Sequence, residues 1–354
     1  MTYPDVPLAE TSFHLFRLYF RKRRQRPAMR RRLRDMLMHL RPDALSILPN
    51  DLIERMYRYQ EIAHYVVCGA LARMQGRELT EAEQTRQTLH AIIAPLFDNL
   101  CNVRPANDTR IRELANHPAG FNPRNESESV LREAYLRLLA TASTPAAVTA
   151  HFRDVCHWRE LSRRQEDAAI CEAELFRITY HKSYHSVLLL YTAFDHYPVP
   201  GETALAFPMA GLMQLTYDVT DIWKDIRAGI FTIPILHRRY GRLEKRFMAE
   251  SARFNQALSR LPYPAKKKKE YAHAVHALHA VGLVAIRRLQ HETKGVQDLA
   301  DLALLGRKRL VCDLNNLRGW MACTRKVREL ANLASFEGPT ETALGRAAHL
   351  SAVR

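Results

Sequence analysis

The stretch that decides the fold is ALAFPMAGLMQLTYDVTDIWKDIRAG, residues 204–229. Its first ten residues are apolar, and three carboxylates follow them, on Asp218, Asp221 and Asp225. A helix turns about 100° per residue, so these three carboxylates and Gln214 share a sector of about 60°. An apolar stripe lies about 100° away on the same helix and contains Leu215, Val219, Ile222 and Ile226. The pattern predicts a helix whose carboxylates adjoin its buried face.

Carboxylates in this position need an explanation, because like charges at helical spacing repel each other. The repulsion grows near a core unless a cation is present. Mg²⁺ binds carboxylate oxygens together with the phosphate oxygens of a substrate. Two interpretations follow, a carboxylate site for Mg²⁺ and a solvated acidic edge of the helix.

A second stretch, LHAIIAPLFDNLCNVRP at residues 89–105, has the same arrangement. It is an apolar segment that ends in polar residues, with Asp98 and Asn102 one helical turn apart and Asn99 beside them. We expect Asp98 and Asn102 to face the carboxylates of Asp218, Asp221 and Asp225 across one cavity mouth.

The rest of the chain indicates an all-α protein. Only 13 of its 354 residues are Gly, and 47% are hydrophobic. Long runs without Gly or Pro alternate with short breaks, which is typical of helices joined by turns. Thr80 and Glu83 form a T-x-x-E capping box that predicts a helix start. Helices are predicted at residues 8–41, 50–74, 80–103, 127–141, 146–165, 167–193, 202–227, 241–261, 267–293 and 297–332.

The predicted organisation is a basic N-terminal segment at 1–45, one helical domain of ten to twelve helices at 46–334 and a flexible tail at 335–354. No uncharged apolar run of 18 residues occurs, so no transmembrane helix is expected. The first residues lack the features of a secretory signal. The six Cys show no C-x-x-C spacing and are interpreted as reduced thiols, so we expect a cytoplasmic location.

The net charge of +16 implies an anionic partner or a solvated basic surface. Much of the charge lies at residues 8–41, where Phe13, Phe16, Tyr19 and Phe20 are interleaved with Arg and Lys. This segment is either an amphipathic helix on a membrane interface or a helix packed on the domain with its Arg side in solvent. Binding to nucleic acid is not expected, because no recognised module accompanies the charge.

Other motifs carry less information. His181 and His185 are one turn apart, the spacing of a metal-binding pair, but no H-E-x-x-H pattern supplies an acidic partner, so zinc is not expected. The sequence has no P-loop, no G-x-G-x-x-G and no G-x-S-x-G.

The two polar helix ends resemble the aspartate-rich motifs of class I isoprenoid synthases, the terpene synthase and squalene/phytoene synthase superfamily. The second family motif reads Gln-x-x-Asn/Asp-x-x-x-Asp-x-x-x-Asp, followed by a basic residue, Gly and x-x-Pro. The matching positions are Gln214, Tyr217 or Asp218, Asp221, Asp225, Arg227, Gly229 and Pro234. The first motif, Asp-Asp-x-x-Asp, is reduced to Asp98-Asn99-x-x-Asn102. The resemblance in helical layout covers about residues 50–330.

The resemblance implies a single-domain isoprenoid-synthase-like helical bundle around a central apolar cavity. It implies a prenyl diphosphate substrate and Mg²⁺, with ionisation of the diphosphate followed by cyclisation or rearrangement. Head-to-head prenyl coupling is the enzymatic alternative. The third alternative is a non-catalytic relative that binds isoprenoid lipid at a membrane surface. The reduced first motif favours this third alternative, and the stripe at Asp218, Asp221 and Asp225 favours an enzyme.

The resemblance also assigns roles to residues. The implied metal ligands are Asp98, Asn102, Asp218, Asp221 and Asp225. The implied catalytic groups are Asp98, Asp221, Asp225, Lys182 and Arg227. The implied substrate contacts are Arg58, Tyr57, Tyr180, Tyr184, Gln214 and Tyr217, with Phe194 as a further aromatic. For each of these the ordinary alternative stays open, since basic residues on helices usually face water and aromatic residues usually pack in the core.

Overall fold

The computed structural model describes residues 6–102, 108–236, 240–296, 299–312 and 317–333. All regular structure in these ranges is helical, which confirms the all-α prediction. The chain order is α1 Leu8–Leu40, α2 Ala44–Ile47, α3 Asn50–Ile62, a π-helical turn Ala63–Val67, α4 Cys68–Met74, α5 Glu81–Asn102, α6 Asp108–Asn116, α7 Glu126–Thr141, α8 Pro145–Leu161, a 3₁₀ turn Ser162–Glu166, α9 Glu172–Tyr191, α10 Pro200–Thr220, α11 Ile222–Ala228, α12 Ile233–Leu236, α13 Tyr240–Ser259, α14 Ala265–Glu292, α15 Leu299–Leu304, α16 Arg307–Leu310 and α17 Leu317–Ala331.

The apolar helix α10 is central to one half of the molecule. It packs against α9, α13 and α14, and its buried residues include Leu205, Met209, Leu212 and Leu215. In the other half, α5 packs against α3 and α7, while α8 joins the halves by packing on α9. The carboxyl ends of α5 and α10 carry the two polar stretches singled out in the sequence.

The capping box predicted at the start of α5 is confirmed. The Glu83 backbone N–H donates to Thr80 Oγ1 at 3.1 Å, and the Thr80 N–H donates to Glu83 Oε2 at 2.9 Å. These two bonds satisfy donors that a helix start leaves without partners. Glu83 is buried and also accepts from Arg77 at 2.7 Å, so the cap is tied to the preceding turn.

Three predicted helices differ from the structure. The helix predicted at 50–74 contains the π-helical turn between α3 and α4. The helix predicted at 202–227 is interrupted at Asp221, which separates α10 from α11. The helix predicted at 297–332 is divided into α15, α16 and α17 in the described residues. The short helices α6 and α12 were not predicted. Short segments with few apolar residues give little periodicity, so their boundaries depend on tertiary packing.

The N-terminal segment is a helix, α1, and its two halves differ in burial. Leu33 and Leu37, in the second half, are fully buried in the core formed with α3, α5 and α7. Phe13 and Phe16, in the first half, expose 58% and 54% of their surface. The segment predicted as separate at 1–45 therefore contributes to the helical core. The tail predicted at 335–354 lies outside the described residues.

The crossing of α10 and α14 depends on a glycine. A Cβ atom at Gly282 would lie 2.5 Å from Thr216 Oγ1 and 3.1 Å from Thr216 Cα. The second atom belongs to the backbone of α10, so the helices themselves must separate to admit a methyl group. Such overpacking costs about 1–3 kcal/mol.

We therefore expect Gly282→Ala to lower the free energy of unfolding by about 2 kcal/mol, measured by urea denaturation. Gly241→Ala on α13 is the matched control, because its Cβ would meet nothing closer than Gln290 Nε2 at 4.0 Å. There the gain in helix propensity should leave stability unchanged or raise it by up to about 1 kcal/mol. Equal effects at the two positions would contradict the close crossing.

Candidate functional site

The polar ends of α5 and α10 meet at Lys182 of α9. Burial lowers the pKa of the Lys182 ammonium, and attraction to Asp218, Asp98 and Asp225 opposes that lowering. A single ammonium thus interacts with carboxylates from both stretches, although more than 110 residues separate Asp98 from Asp218 in the chain. We call Asp98, Asp218, Asp221, Asp225 and Lys182 the acidic cluster.

Asp218 is the most buried carboxylate of the acidic cluster, with 5% of its surface exposed. Gln214 Nε2 donates to its Oδ1 at 2.8 Å, one turn earlier on α10. Its other oxygen, Oδ2, is buried and has no hydrogen-bond partner. Burial raises the pKa of Asp218 to about 6, and Lys182 only partly offsets this effect. A buried carboxylate oxygen without a partner is costly, which is typical of a position that a cation completes.

Asp221 lies at the break between α10 and α11, and Asp225 follows it on α11. Asp221 has φ −97° and ψ 4°, so it ends α10 and precedes α11. It accepts a hydrogen bond from Lys224 Nζ at 2.8 Å. Burial raises the pKa of Asp225 to about 7, and the charges of Asp218 and Asp221 add to this rise. The carboxylates of α10 and α11 are therefore close enough to repel one another.

Gly229 ends α11 in the left-handed conformation, with φ 66°. Glycine adopts this conformation without steric cost, and it is the usual residue after a helix C-terminus. The Gly229 N–H donates to the Ile226 carbonyl at 3.2 Å. The glycine of the sequence motif thus closes the short helix that carries Asp225.

Asp98 is held by groups from two other helices. Tyr59 Oη on α3 donates to its Oδ2 at 3.0 Å, and Arg55 Nη2 lies 3.5 Å from the same oxygen. On α8, Arg159 Nη2 lies 3.6 Å from Oδ1. The neighbouring Asn99 accepts from Arg55 Nη1 at 2.7 Å. The side chain of Asn102, the other predicted ligand of this motif, lies outside the described residues.

Tyr59 and Tyr217 stand next to the acidic cluster and interact with each other. They keep 41% and 36% of their surface accessible. Nevertheless the negative charge of Asp98 raises the pKa of Tyr59 well above its usual value, and burial adds to this rise. Burial raises the pKa of Tyr217 to about 12, and the charge of Asp221 adds to it.

Several predicted substrate contacts lie elsewhere. Tyr57 is buried on the core side of α3, with the Arg30 guanidinium 4.3 Å from its ring centre. Arg58 is exposed. Arg227 is exposed and stacks on Trp223, 5.0 Å from the ring centre.

The predicted aromatic contacts on α9 lie within the helix packing. Tyr180 is 6% exposed, and its ring occupies the space where Gly211 of α10 lacks a side chain. Tyr184 contacts the Phe207 ring edge-on at 5.3 Å between ring centres. Phe194 is fully buried in the core.

Three residues of the site were missed in the sequence, namely Arg55, Tyr59 and Arg159. The sequence contained a signal for Arg55 and Tyr59. They are one turn apart and therefore share a face of α3, and this face adjoins the one that buries Leu52, Ile53 and Met56. The pattern of polar and apolar residues on α8 does not single out Arg159. It lies near Asp98 because of how α8 packs in the fold.

The central apolar cavity stays a prediction. Within the described chain the two best-formed pockets lie beside α1, α4 and α14. The larger holds about 50 Å³ and is lined by Arg17, Arg73 and Glu270 among others. Neither pocket borders the acidic cluster.

The donor set at the acidic cluster fits a hard cation such as Mg²⁺ in its chemistry, since it offers carboxylate oxygens, one of them buried and unpartnered. The carboxylates do not converge on one point. In the ranges described, three residues do bring one ligating atom each to within 4.8 Å of one another, and they are His151, Asp154 and His185. A cation would therefore be held by one or two carboxylates and complete its coordination with water or substrate oxygens.

No family model, curated protein or solved structure matches the chain significantly. A membrane span was sought separately, and no helix of the described ranges is long and apolar enough to be one.

Proposed function

We propose that the protein is a Mg²⁺-dependent class I enzyme that ionises a prenyl diphosphate and cyclises or rearranges the resulting carbocation. The observation that carries the proposal is the buried Asp218 carboxylate, unpartnered at Oδ2, which interacts electrostatically with Asp225 and Lys182, while Lys182 also interacts with Asp98. Carboxylates that repel one another next to a half-buried ammonium suit a ligand that carries both a divalent cation and negative oxygens.

Asp218 and Asp225 are the residues that would hold the ion, since Asp218 is partnered only at Oδ1 and burial and repulsion raise the pKa of Asp225. When bound, Mg²⁺ would neutralise charge that develops on the diphosphate. Burial and repulsion from Arg159 both lower the pKa of the Lys182 ammonium. An anionic diphosphate would relieve that repulsion.

The reaction breaks the ester C–O bond, and the bonding electron pair leaves with the diphosphate. The cationic groups Arg55, Arg159 and Lys182 stabilise this departing anion by electrostatics, as preorganised donors do in other enzymes. The allylic cation then closes or rearranges and ends by losing a proton or capturing water. Tyr59 and Tyr217 are partly accessible aromatic side chains beside the cluster, and such rings would stabilise a carbocation by π contact.

Product analysis tests the proposal. The protein is incubated with geranyl, farnesyl or geranylgeranyl diphosphate, with and without Mg²⁺, and released diphosphate and hydrocarbon products are measured. Mg²⁺-dependent release with a cyclic or rearranged product supports the proposal. A product of doubled chain length indicates head-to-head coupling. Binding that does not depend on Mg²⁺, with no diphosphate released, indicates a non-catalytic lipid-binding protein and contradicts the enzyme.

A second candidate function, contact with an anionic membrane surface, is favoured by the first half of α1. Phe13, Phe16 and Phe20 are exposed, and the Phe16 and Phe20 rings lie 4.3 Å apart. The exposed Arg23 and Arg24 lie with them in a sector of about 100°. Aromatic residues beside cationic residues on one helix face suit the boundary between lipid headgroups and acyl chains.

We expect the protein to sediment with vesicles that contain phosphatidylserine and to be released by high salt. The triple variant Phe13→Ser, Phe16→Ser, Phe20→Ser should bind at least about tenfold more weakly, since it loses most of the apolar contact. Leu304→Ser is the matched control, because Leu304 is 83% exposed on α15. Equal binding by the triple variant and the wild type would show that α1 is not the surface that contacts the membrane.

A further inference from the structure

A cluster of histidine and aspartate lies between α8 and α9, outside the acidic cluster. His151 and Asp154 are one turn apart on α8, and His185 lies on α9, which packs against it. One ligating atom from each of the three residues lies within 4.8 Å of the other two. His181, which the sequence paired with His185, instead stacks on Trp158 with ring centres 4.4 Å apart.

The Nδ1 atoms of both histidines in the cluster lack hydrogen bonds. His151 Nδ1 and His185 Nδ1 are both buried. Asp154 Oδ2 lies 3.7 Å from the first and 3.2 Å from the second, within ion-pair distance but without a hydrogen bond. Buried polar atoms without hydrogen bonds are rare, so two that lie near one carboxylate oxygen require an explanation.

Tyr197 provides a hydrogen-bond partner at the second ring nitrogen of His151. Its Oη lies 2.8 Å from His151 Nε2, and which group donates depends on the tautomer of His151. When Nε2 carries the proton, it donates to Tyr197 and the Nδ1 lone pair is free to bind a metal ion. A hydrogen bond to the non-ligating ring nitrogen is the usual companion of metal-bound histidine.

The distances between the ligand atoms suit a transition metal. Ligand atoms around a tetrahedral Zn²⁺ lie about 3.3 Å apart when each bond is about 2.0 Å. Asp154 Oδ2 lies 3.2 Å from His185 Nδ1 and 3.7 Å from His151 Nδ1. Two imidazole nitrogens select Zn²⁺ and related ions over Mg²⁺, which prefers oxygen.

We propose that His151, Asp154 and His185 form a binding site for a divalent transition-metal ion of the Zn²⁺ type. The Asp154 side chain exposes 47% of its surface, so water can complete the coordination from the solvent side. The ion would link α8 to α9, the two helices that also position Arg159 and Lys182 at the acidic cluster. The site does not depend on the proposed prenyl diphosphate activity.

Calorimetry with ZnCl₂ on the tag-free, metal-stripped full chain tests the site, and the absorption of the Co²⁺ complex reports its ligands. We expect one ion per chain with a dissociation constant below about 0.1 mM, and Co²⁺ bands without a thiolate contribution. His185→Ala and Asp154→Asn should each weaken binding about tenfold or more. Zn²⁺ should also raise the melting temperature of the wild type but not of these variants.

His181→Ala is the matched control, because His181 is one turn from His185 but stacks on Trp158. It should bind Zn²⁺ like the wild type. Absence of saturable binding in the wild type would show that the three residues form only a polar contact between helices. Unchanged affinity in both His185→Ala and Asp154→Asn, or a strong thiolate band in the Co²⁺ complex, would place the ion elsewhere and overturn the assignment.

Discussion

Replacement of Asp225 by Asn is expected to reduce Mg²⁺-dependent release of diphosphate from a prenyl diphosphate by at least about 100-fold. Burial raises the pKa of the Asp225 carboxyl to about 7, and repulsion by the charges of Asp218 and Asp221 adds to this rise. A bound divalent ion would offset this repulsion, whereas an amide offers a neutral oxygen and binds the ion more weakly. Loss of a single group that stabilises developing negative charge typically costs a factor of 10² to 10³ in turnover. Steady-state release of diphosphate, measured at several Mg²⁺ concentrations, checks the expectation.

The control is Asp35→Asn, since Asp35 is exposed on α1. It should keep wild-type turnover. If the defect of Asp225→Asn arises from weaker metal binding, higher Mg²⁺ should restore part of the activity. Wild-type turnover in Asp225→Asn at low Mg²⁺ would exclude Asp225 from the metal site.

The helical layout was predictable because it depends on local rules. The apolar run before Gln214 and the capping box at Thr80 each indicate a helix by periodicity or by side-chain chemistry, and both helices are present. The break at Asp221 was not predictable from periodicity, because the pattern of polar and apolar residues continues across it. A local bend that leaves the period intact has no signature in the hydrophobic pattern.

The acidic residues were easier to predict than the groups around them. Asp98 and Asp218 both interact electrostatically with Lys182, whereas their place at one cavity mouth stays a prediction. The basic and aromatic partners were assigned to Arg58 and Tyr57, whereas Arg55 and Tyr59 contact Asp98. Residues two apart face different sides of a helix, so Tyr57 lies in the core whereas Tyr59 reaches the site.

The contacts of His185 illustrate a different limit. The sequence shows His181 one turn away, and a pair at that spacing is a common metal motif. The structure instead brings His151 and Asp154 from the preceding helix to His185. Which face of α8 meets which face of α9 depends on packing between two helices, and the spacing within one helix contains no information about it.

Asp218→Asn is expected to stabilise the metal-free protein by about 2–3 kcal/mol at pH 8. The carboxyl group has an ordinary pKa of 3.8, and burial raises it to about 6 in the folded state. Between these values the folded state binds the proton more strongly than the unfolded state. The stability of the wild type therefore falls as the pH rises through this window, and the loss is complete above about pH 6. Asn carries no charge and avoids the loss, while its oxygen can still accept the hydrogen bond from Gln214.

Urea unfolding at pH 8 and at pH 4, without divalent ions, measures this difference. The gap between Asp218→Asn and the wild type should be present at pH 8 and nearly absent at pH 4, while Asp35→Asn should match the wild type at both. Adding Mg²⁺ at pH 8 should stabilise the wild type more than the variant, since Asp218 offers the ion a buried oxygen that has no other partner. If Asp218→Asn is instead less stable than the wild type at pH 8, attraction to Lys182 exceeds the cost of burial. Asp218 would then be a satisfied ion-pair partner, and the need for a cation at the acidic cluster would lose its main support.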